Sequence, residues 1–279
     1  VPGRGGAAAP ALLEGPVGWR GSKRTVGGDN WCKGTAPGAD WSLLRCFANG
    51  NRTLQQINVL TYNLFWWNLF GAPPMRDGNG GSAGKLINAS GPFDFMGFQE
   101  CDDLGRVLRD GGLASQYGVI PGGHATAIGY RLRDWKLLGS GTAEVAEDRV
   151  PEWWGTRGAQ WARFRHKRTG RTIFFANHHG PTPVGSGGLC GGEATAWNIL
   201  KMMGTHADRR DGIVLVGDFN NGVETTAVKE LKARLRLVHT GVSFGGVDHI
   251  FSSCSGDRVR SRRNLGSGGS DHDALAVTL

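Results

Sequence analysis

No stretch of this chain reaches the ~18 consecutive apolar residues that a membrane-crossing helix needs. No Cys-x-x-Cys occurs among its five cysteines, which removes the common zinc-site spacings. The His-x-His-x-Asp-His spacing of one dinuclear zinc type is missing too. No segment repeats, which excludes solenoids and propellers. No linker-like run divides the chain beyond its first fifty or so residues, and its 279 residues suffice for a large buried core.

What is abundant is glycine. It fills 47 of 279 positions, against ~7% in ordinary proteins, so many turns and close backbone approaches are expected. Positive charge is also in excess, at +8 with a pI of 9.6. That balance fits a solubilising surface, or a polyanionic partner such as nucleic acid or an anionic membrane face. Basic residues cluster at 163–168 and at 258–263. The first cluster reads as a hairpin turn, since Thr169-Gly170 follows it. The second, with Arg260, Arg262 and Arg263, is the better candidate for gripping a phosphate backbone.

The cysteines and two glycosylation patterns, Asn51-Arg52-Thr53 and Asn88-Ala89-Ser90, lean towards a secreted, extracellular glycoprotein. The start at Val1 reads as a processed product. Cys32 and Cys46 could close a short loop by a disulfide, and an odd cysteine count leaves one thiol over.

Residues 1–54 hold Gly, Ala and Pro, then tryptophans and cysteines without periodicity. They read as an N-terminal extension to a domain spanning 55–279. Strands are expected at 57–63, 93–100, 158–165, 171–177, 213–216, 247–252 and 274–279. A hairpin or meander is expected over 125–130 and 135–138. Helices are expected near Lys85 and over 104–113, 193–208 and 226–235. This mixture suits an α/β class, specifically a four-layer α/β sandwich of two packed, mainly antiparallel sheets flanked by helices.

Polar residues recur where the apolar runs end. Asn63 closes the first strand. Glu100 closes the second, where a carboxylate is costly to bury unless paired or bound to metal. Asn177-His178-His179 follows Ile173-Phe174-Phe175-Ala176, and the two histidines point to opposite faces. Asp218 and Asn220 sit two apart in Gly217-Asp218-Phe219-Asn220, so both can serve one side. The carboxylate can take a proton from water and the amide can donate to a phosphoryl oxygen. Asp248 starts another strand, and Asp271-His272 closes the series. Asp248 accepting from the ring of His272 would fix its tautomer and raise its basicity.

In this order and spacing, Thr61-Tyr62-Asn63, Gln99-Glu100, Asn177-His178-His179, Gly217-Asp218-Phe219-Asn220, Val247-Asp248-His249 and Ser270-Asp271-His272 resemble the endonuclease/exonuclease/phosphatase superfamily. The resemblance covers about residues 56–279. It implies a divalent metal, Mg2+ with Mn2+ or Ca2+ as alternatives, held by Glu100 with Asn63 and Asp271. It implies that Asp218 activates water and Asn220 holds the phosphate. His272 and one of His178 and His179 would stabilise the transition state or protonate the leaving group. An Asn-x-His alignment favours His179 and a His-x-x-Pro alignment favours His178. Arg157 is similar to an arginine that related nucleases place near phosphate, with a structural salt bridge as the alternative. Asn177 shares a face with His179 and joins Arg157 as a candidate substrate contact.

Two departures stand out. His124 or a nearby residue falls where some nucleases carry an acid behind the first histidine. The signatures of inositol polyphosphate 5-phosphatases are absent. Trp66-Trp67 and Trp153-Trp154 fill a core, or stack on bases, or meet a lipid interface. The glycine-rich loop 182–192 is a flap or a plain connection. The expectation is a secreted, metal-dependent phosphodiesterase acting as a DNA endonuclease. A sphingomyelinase-like enzyme acting on membrane lipid, or an inactive binding protein on the same fold, are the alternatives.

Overall fold

The computed structural model describes Cys32 and residues 56–71, 80–149, 155–254 and 256–279. In chain order the elements are β1 (Asn58–Asn63), α1 (Trp66–Phe70), α2 (Gly80–Ser90), β2 (Phe95–Gln99), α3 (Leu104–Asp110), β3 (Tyr117–Pro121), β4 (Ala127–Arg131) and β5 (Trp135–Glu147). Then follow β6 (Thr156–His166), β7 (Thr172–His179), α4 (Gly192–His206), β8 (Gly212–Asp218), α5 (Thr226–Lys232), β9 (Arg236–Thr240), β10 (Asp248–Ser252), β11 (Ser261–Asn264) and β12 (Leu275–Thr278).

Two six-stranded sheets form, in the orders β11-β12-β1-β2-β4-β3 and β5-β6-β7-β8-β10-β9. Only β1–β2 and β7–β8 pair in parallel among the described residues. Three apolar layers glue this into a four-layer α/β sandwich. Val59, Phe95, Phe164, Phe175, Val214, Val216 and Ile250 fill the space between the sheets. Leu69, Ile87, Leu104, Val107 and Leu108 from α1–α3 cover the outer face of the first sheet. Ile199, Leu200, Met203, Val228 and Leu231 from α4 and α5 cover the second. The runs Ile173–Ala176 and Ile213–Val216 are therefore unbroken because both of their faces are buried. Phe175 and Val214 look inward, Phe174 and Leu215 outward.

The sheets approach closely near β2. A Cβ on Gly97 would lie 2.4 Å from Val216 Cγ2 and 2.9 Å from Asn177 Oδ1, so only glycine fits there. One residue layer above, Gln99 Nε2 donates to Asn177 Oδ1 at 2.6 Å and ties the sheets together.

Three expectations change. The strands at 127–131 and 135–147 do not pair as a hairpin. The Leu132–Asp134 turn carries the chain across to the other sheet, because Trp135 is buried between the sheets and its indole N–H donates to Asp94. Cys32 bonds Cys190, 158 residues away, instead of Cys46. The fold, not nearness in sequence, brings those two sulfurs together. Cys254 is also disulfide-bonded and Cys101 is free and buried. The third change concerns edges: β3, β9 and β11 were not expected, and each closes an edge of its sheet. The extension at 1–54 (Cys32 apart), Cys46, Asn51 and Trp153-Trp154 lie outside the described residues. Asn88 is exposed near the end of α2.

Candidate active site

Strand register brings the polar residues to one end of the sandwich. Asn63 pairs with Gln99, and Thr61 with Leu275, so β1, β2 and the start of β12 end together. His179 pairs with Asp218, and Asp218 with Asp248, in the facing sheet. Ser270 locks the final turn in place. Its Oγ donates to Asn63 O at 2.7 Å and accepts from His272 N at 3.2 Å. That serine stands in the Ser-Asp-His motif, yet its bracing role needed the structure.

Asp218 is the centre. It is 1% exposed. Its Oδ1 accepts from Asn220 N at 2.8 Å and its Oδ2 from Asn63 Nδ2 at 3.0 Å. The Nε2 atoms of His179 and His272 each lie 3.7 Å from that same Oδ2. Glu100 Oε1 is 3.8 Å from His179 Nε2 and 3.2 Å from Asn63 Nδ2. Behind His272, Asp248 Oδ2 lies 2.9 Å from Nδ1, which realises the expected acid–imidazole pair.

The charges on this centre are far from ordinary. Burial pushes Glu100 up to about 7, against the Asn63 hydrogen bond and helped by the nearby charges of Asp218 and Asp271. Burial also raises Asp248, with Asp218 adding to the effect. Burial would lower His272, but the Asp248 hydrogen bond and the charges of Asp218, Asp248 and Asp271 outweigh it and raise the ring to about 9. His179 is driven well below the usual histidine range by burial, and then by the adjacent Arg157 charge.

The donor set suits a divalent cation. Asp218, Asp248 and His272 offer ligand atoms within 4.8 Å of one another. Glu100 Oε2 is buried without a hydrogen-bond partner, and it follows β2 in a left-handed conformation at φ 49°. A buried carboxylate oxygen with no donor, beside two further acids, is what a hard cation would satisfy.

The remaining sequence candidates separate into those that reach this centre and those that do not. Asp271 lies close enough to act electrostatically on Glu100 and His272. Asn220 gives one amide hydrogen to Gly180 O at 3.0 Å, and its backbone braces Asp218. His179, not His178, faces the acids. His178 Nδ1 donates to Gly158 O at 2.9 Å, and the ring packs edge-on to Phe219 in the helix-side layer.

Several expected roles are corrected. Asn63 Oδ1 accepts from Phe65 N at 3.1 Å, so its NH2 faces the carboxylates of Glu100 and Asp218. Asn177 is fully buried between the sheets, donating to Phe98 O and Ala127 O, which leaves it no exposed surface. Arg157 is buried behind His179 in a salt bridge with Asp148. Arg260 follows a backbone bond at the opposite end of β12, its N–H donating to Thr278 O. Arg262 Nε donates to Val238 O at 2.6 Å and Arg263 to Ser90 O at 2.9 Å. Arg262 and Arg263 lie on the edge strand β11, and Arg260 just before it.

The mouth carries groups that motif reading missed. Phe244 is 57% exposed, holds φ at 48°, and lays its ring 4.7 Å from that of His272. A bulky residue in that conformation is an outlier, and outliers of this kind gather at functional sites. Val242, two residues earlier, is 72% exposed. Trp66 instead stacks on Phe70 and packs on the core. The 182–192 loop is tethered, by Thr182 to Asp148, Gly185 to Asn220, Leu189 to Glu147 and Cys190 to Cys32.

No protein-family model and no curated protein matches the sequence. Solved structures do. An endonuclease/exonuclease/phosphatase from Bacteroides vulgatus is 19% identical, with TM-score 0.61 over 81% of this chain and 98% of that one. A mannosyl-6-phosphatase from Bacteroides thetaiotaomicron is 22% identical, with TM-score 0.61 over 80% and 99%. TDP2 from D. rerio, complexed with a single-strand DNA product, is 15% identical, with TM-score 0.57 over 80% and 98%. The fold is thus that of the endonuclease/exonuclease/phosphatase proteins.

Proposed function

We propose that the protein is a divalent-metal-dependent phosphodiesterase that hydrolyses nucleic acid, DNA first, by in-line attack of water. The observation that carries this reading is the convergence of two imidazole Nε2 atoms on Asp218 Oδ2, at 3.7 Å each, beside the partnerless Glu100 oxygen. Two imidazoles and three acids at one end of the sandwich suit a phosphoryl centre, where charge spreads over several oxygens.

Glu100 and Asp271, with Asp218 beside them, would hold the cation, of which Mg2+ is the expected one. A bound cation supplies neutralisation of phosphate charge and polarisation of the phosphorus–oxygen bonds. Asp218, fixed by Asn63 and the Asn220 backbone, aligns the attacking water and takes its proton. His272, charged through Asp248, stabilises the phosphoryl oxygens and delivers a proton to the leaving group. His179 donates to the phosphoryl group from the other side.

Nucleic acid is favoured by the +8 charge and by Phe244, an exposed ring beside His272 on which a base can stack. A second reading, cleavage of a phospholipid headgroup ester, draws on Val242 and Phe244 together, since two exposed apolar side chains on one short loop can also enter an interface. The disulfides favour an oxidising, extracellular setting.

Plasmid DNA, sphingomyelin vesicles and a small phosphodiester, each with Mg2+ or EDTA, separate the readings. Nicking of plasmid that stops in EDTA is the expected result. Lipid cleavage without nicking would replace the nuclease by the lipid enzyme. Metal binding without turnover on any of the three would leave only a binding protein.

A further inference from the structure

The two histidines that meet at Asp218 are held from behind by groups of opposite kind. His272 Nδ1 faces a carboxylate oxygen of Asp248, which only accepts, so that nitrogen carries a proton. His179 Nδ1 lies 3.2 Å from a terminal nitrogen of Arg157. A guanidinium has donors and no acceptor, so Nδ1 must be the acceptor. The ring proton of His179 therefore sits on Nε2, the atom that looks to Glu100 and Asp218.

Arg157 has little freedom to do otherwise. It is 2% exposed, and its Nε donates to both carboxylate oxygens of Asp148 at 3.0 Å each. Asp148 Oδ1 is itself held by Thr182, from the backbone N–H at 2.7 Å and the hydroxyl at 3.0 Å. Thr182 stands three residues beyond His179, so the chain that leaves the histidine returns to brace the arginine behind it.

We propose that Arg157, set by Asp148 and Thr182, is a positioning residue that locks His179 as the Nε2–H tautomer. His179 then presents Nε2–H as a fixed hydrogen-bond donor to a phosphoryl oxygen. A second proton on Nδ1 would point at a guanidinium and would break the contact that orients the ring. The oxygen that receives the His179 donor rests on the phosphodiesterase reading; the tautomer itself does not.

The test uses the full chain, 15N-labelled at histidine, and long-range proton–nitrogen correlation spectra near neutral pH without metal. His179 is assigned by its loss in His179→Gln. The expected pattern is an unprotonated Nδ1 and a protonated Nε2 for His179, kept in Arg157→Lys and replaced by a tautomer mixture in Arg157→Met. A protonated Nδ1 in the unmutated protein overturns the proposal without any Arg157 variant, so misfolding of Arg157→Met cannot rescue it. So does an unchanged His179 pattern in a folded Arg157→Met. On a small phosphodiester with Mg2+, Arg157→Met should lower kcat about 10–100-fold at similar KM, as for other residues that orient a site group. Loss of hydrolysis from the unmutated protein would refute the phosphodiesterase reading and leave the spectral result standing.

Discussion

The His272 side and the His179 side of the site use the same atom against the same carboxylate, yet their surroundings differ in sign. Behind His272 stands Asp248, and the ring is held at about 9; behind His179 stands Arg157, and the ring is held well below the usual range. Two groups of one chemical type thus acquire different charges from what lies behind them. The comparison teaches that the motif residues fix where the imidazoles sit, while their backing residues fix what they can do.

The sharpest way to break this comparison is to remove the shared centre or its cationic arm. Asp218→Asn or His272→Ala should lower the rate on a small phosphodiester by about 10²–10⁴-fold with the fold intact by circular dichroism, as expected for groups that move protons. Activity within a few-fold of the unmutated rate would remove Asp218 from the chemistry. Asp248→Asn should cost less, about 10–100-fold, because it leaves His272 in place without its charge partner. Its pH–rate profile should also lose its alkaline limb at lower pH than the unmutated protein. An unshifted profile would detach Asp248 from His272.

Glu100 sharpens the account of the metal. Its folded pKa is about 7, above its ordinary carboxylate value near 4.5. A group raised on folding stabilises fully below its unfolded value and loses that contribution as pH rises through the folded one. The metal-free protein should therefore weaken between about pH 4.5 and 7, by at most about 3 kcal/mol from this group. Thermal melting at pH 8 should show Glu100→Gln more stable than the parent without metal, and less responsive to added Mg2+. A Mg2+-induced rise in Tm of equal size in both proteins would take Glu100 out of the metal site. The smallest effect is expected at the edge strand. Arg262→Ala with Arg263→Ala should leave DNA cleavage and its salt dependence nearly unchanged, since both guanidiniums bond to carbonyls. A marked loss of salt dependence would return them to the substrate path.

Much of this was legible from residues alone. β7 and β8 announce themselves because both faces are buried, and polar residues stand where those runs stop. The Asp248–His272 pair follows from acids and imidazoles sharing one sheet end. The edge strands β3, β9 and β11 were not legible, because half-exposed strands dilute the alternation that marks a strand. Nor was the task of Arg157. A buried salt bridge with Asp148 depends on the turn at Thr182 folding back, and no spacing encodes that. Asn63 and Asn177 carry the right side chains at the right strand ends. Only the placement of their neighbours shows that one braces acids and the other stitches sheets. Phe244 escaped notice because a lone phenylalanine ahead of two glycines looks like any loop residue until its ring is seen beside His272.

The most direct test of the central claim is the initial rate of Mg2+-dependent hydrolysis of a small phosphodiester by the parent and by Asp218→Asn, measured side by side after EDTA treatment and metal return. The account predicts a parent rate that vanishes with EDTA and returns with Mg2+, and an Asp218→Asn rate at least about 10²-fold lower at every metal concentration. A parent rate untouched by EDTA, or an Asp218→Asn rate equal to the parent's, would contradict it.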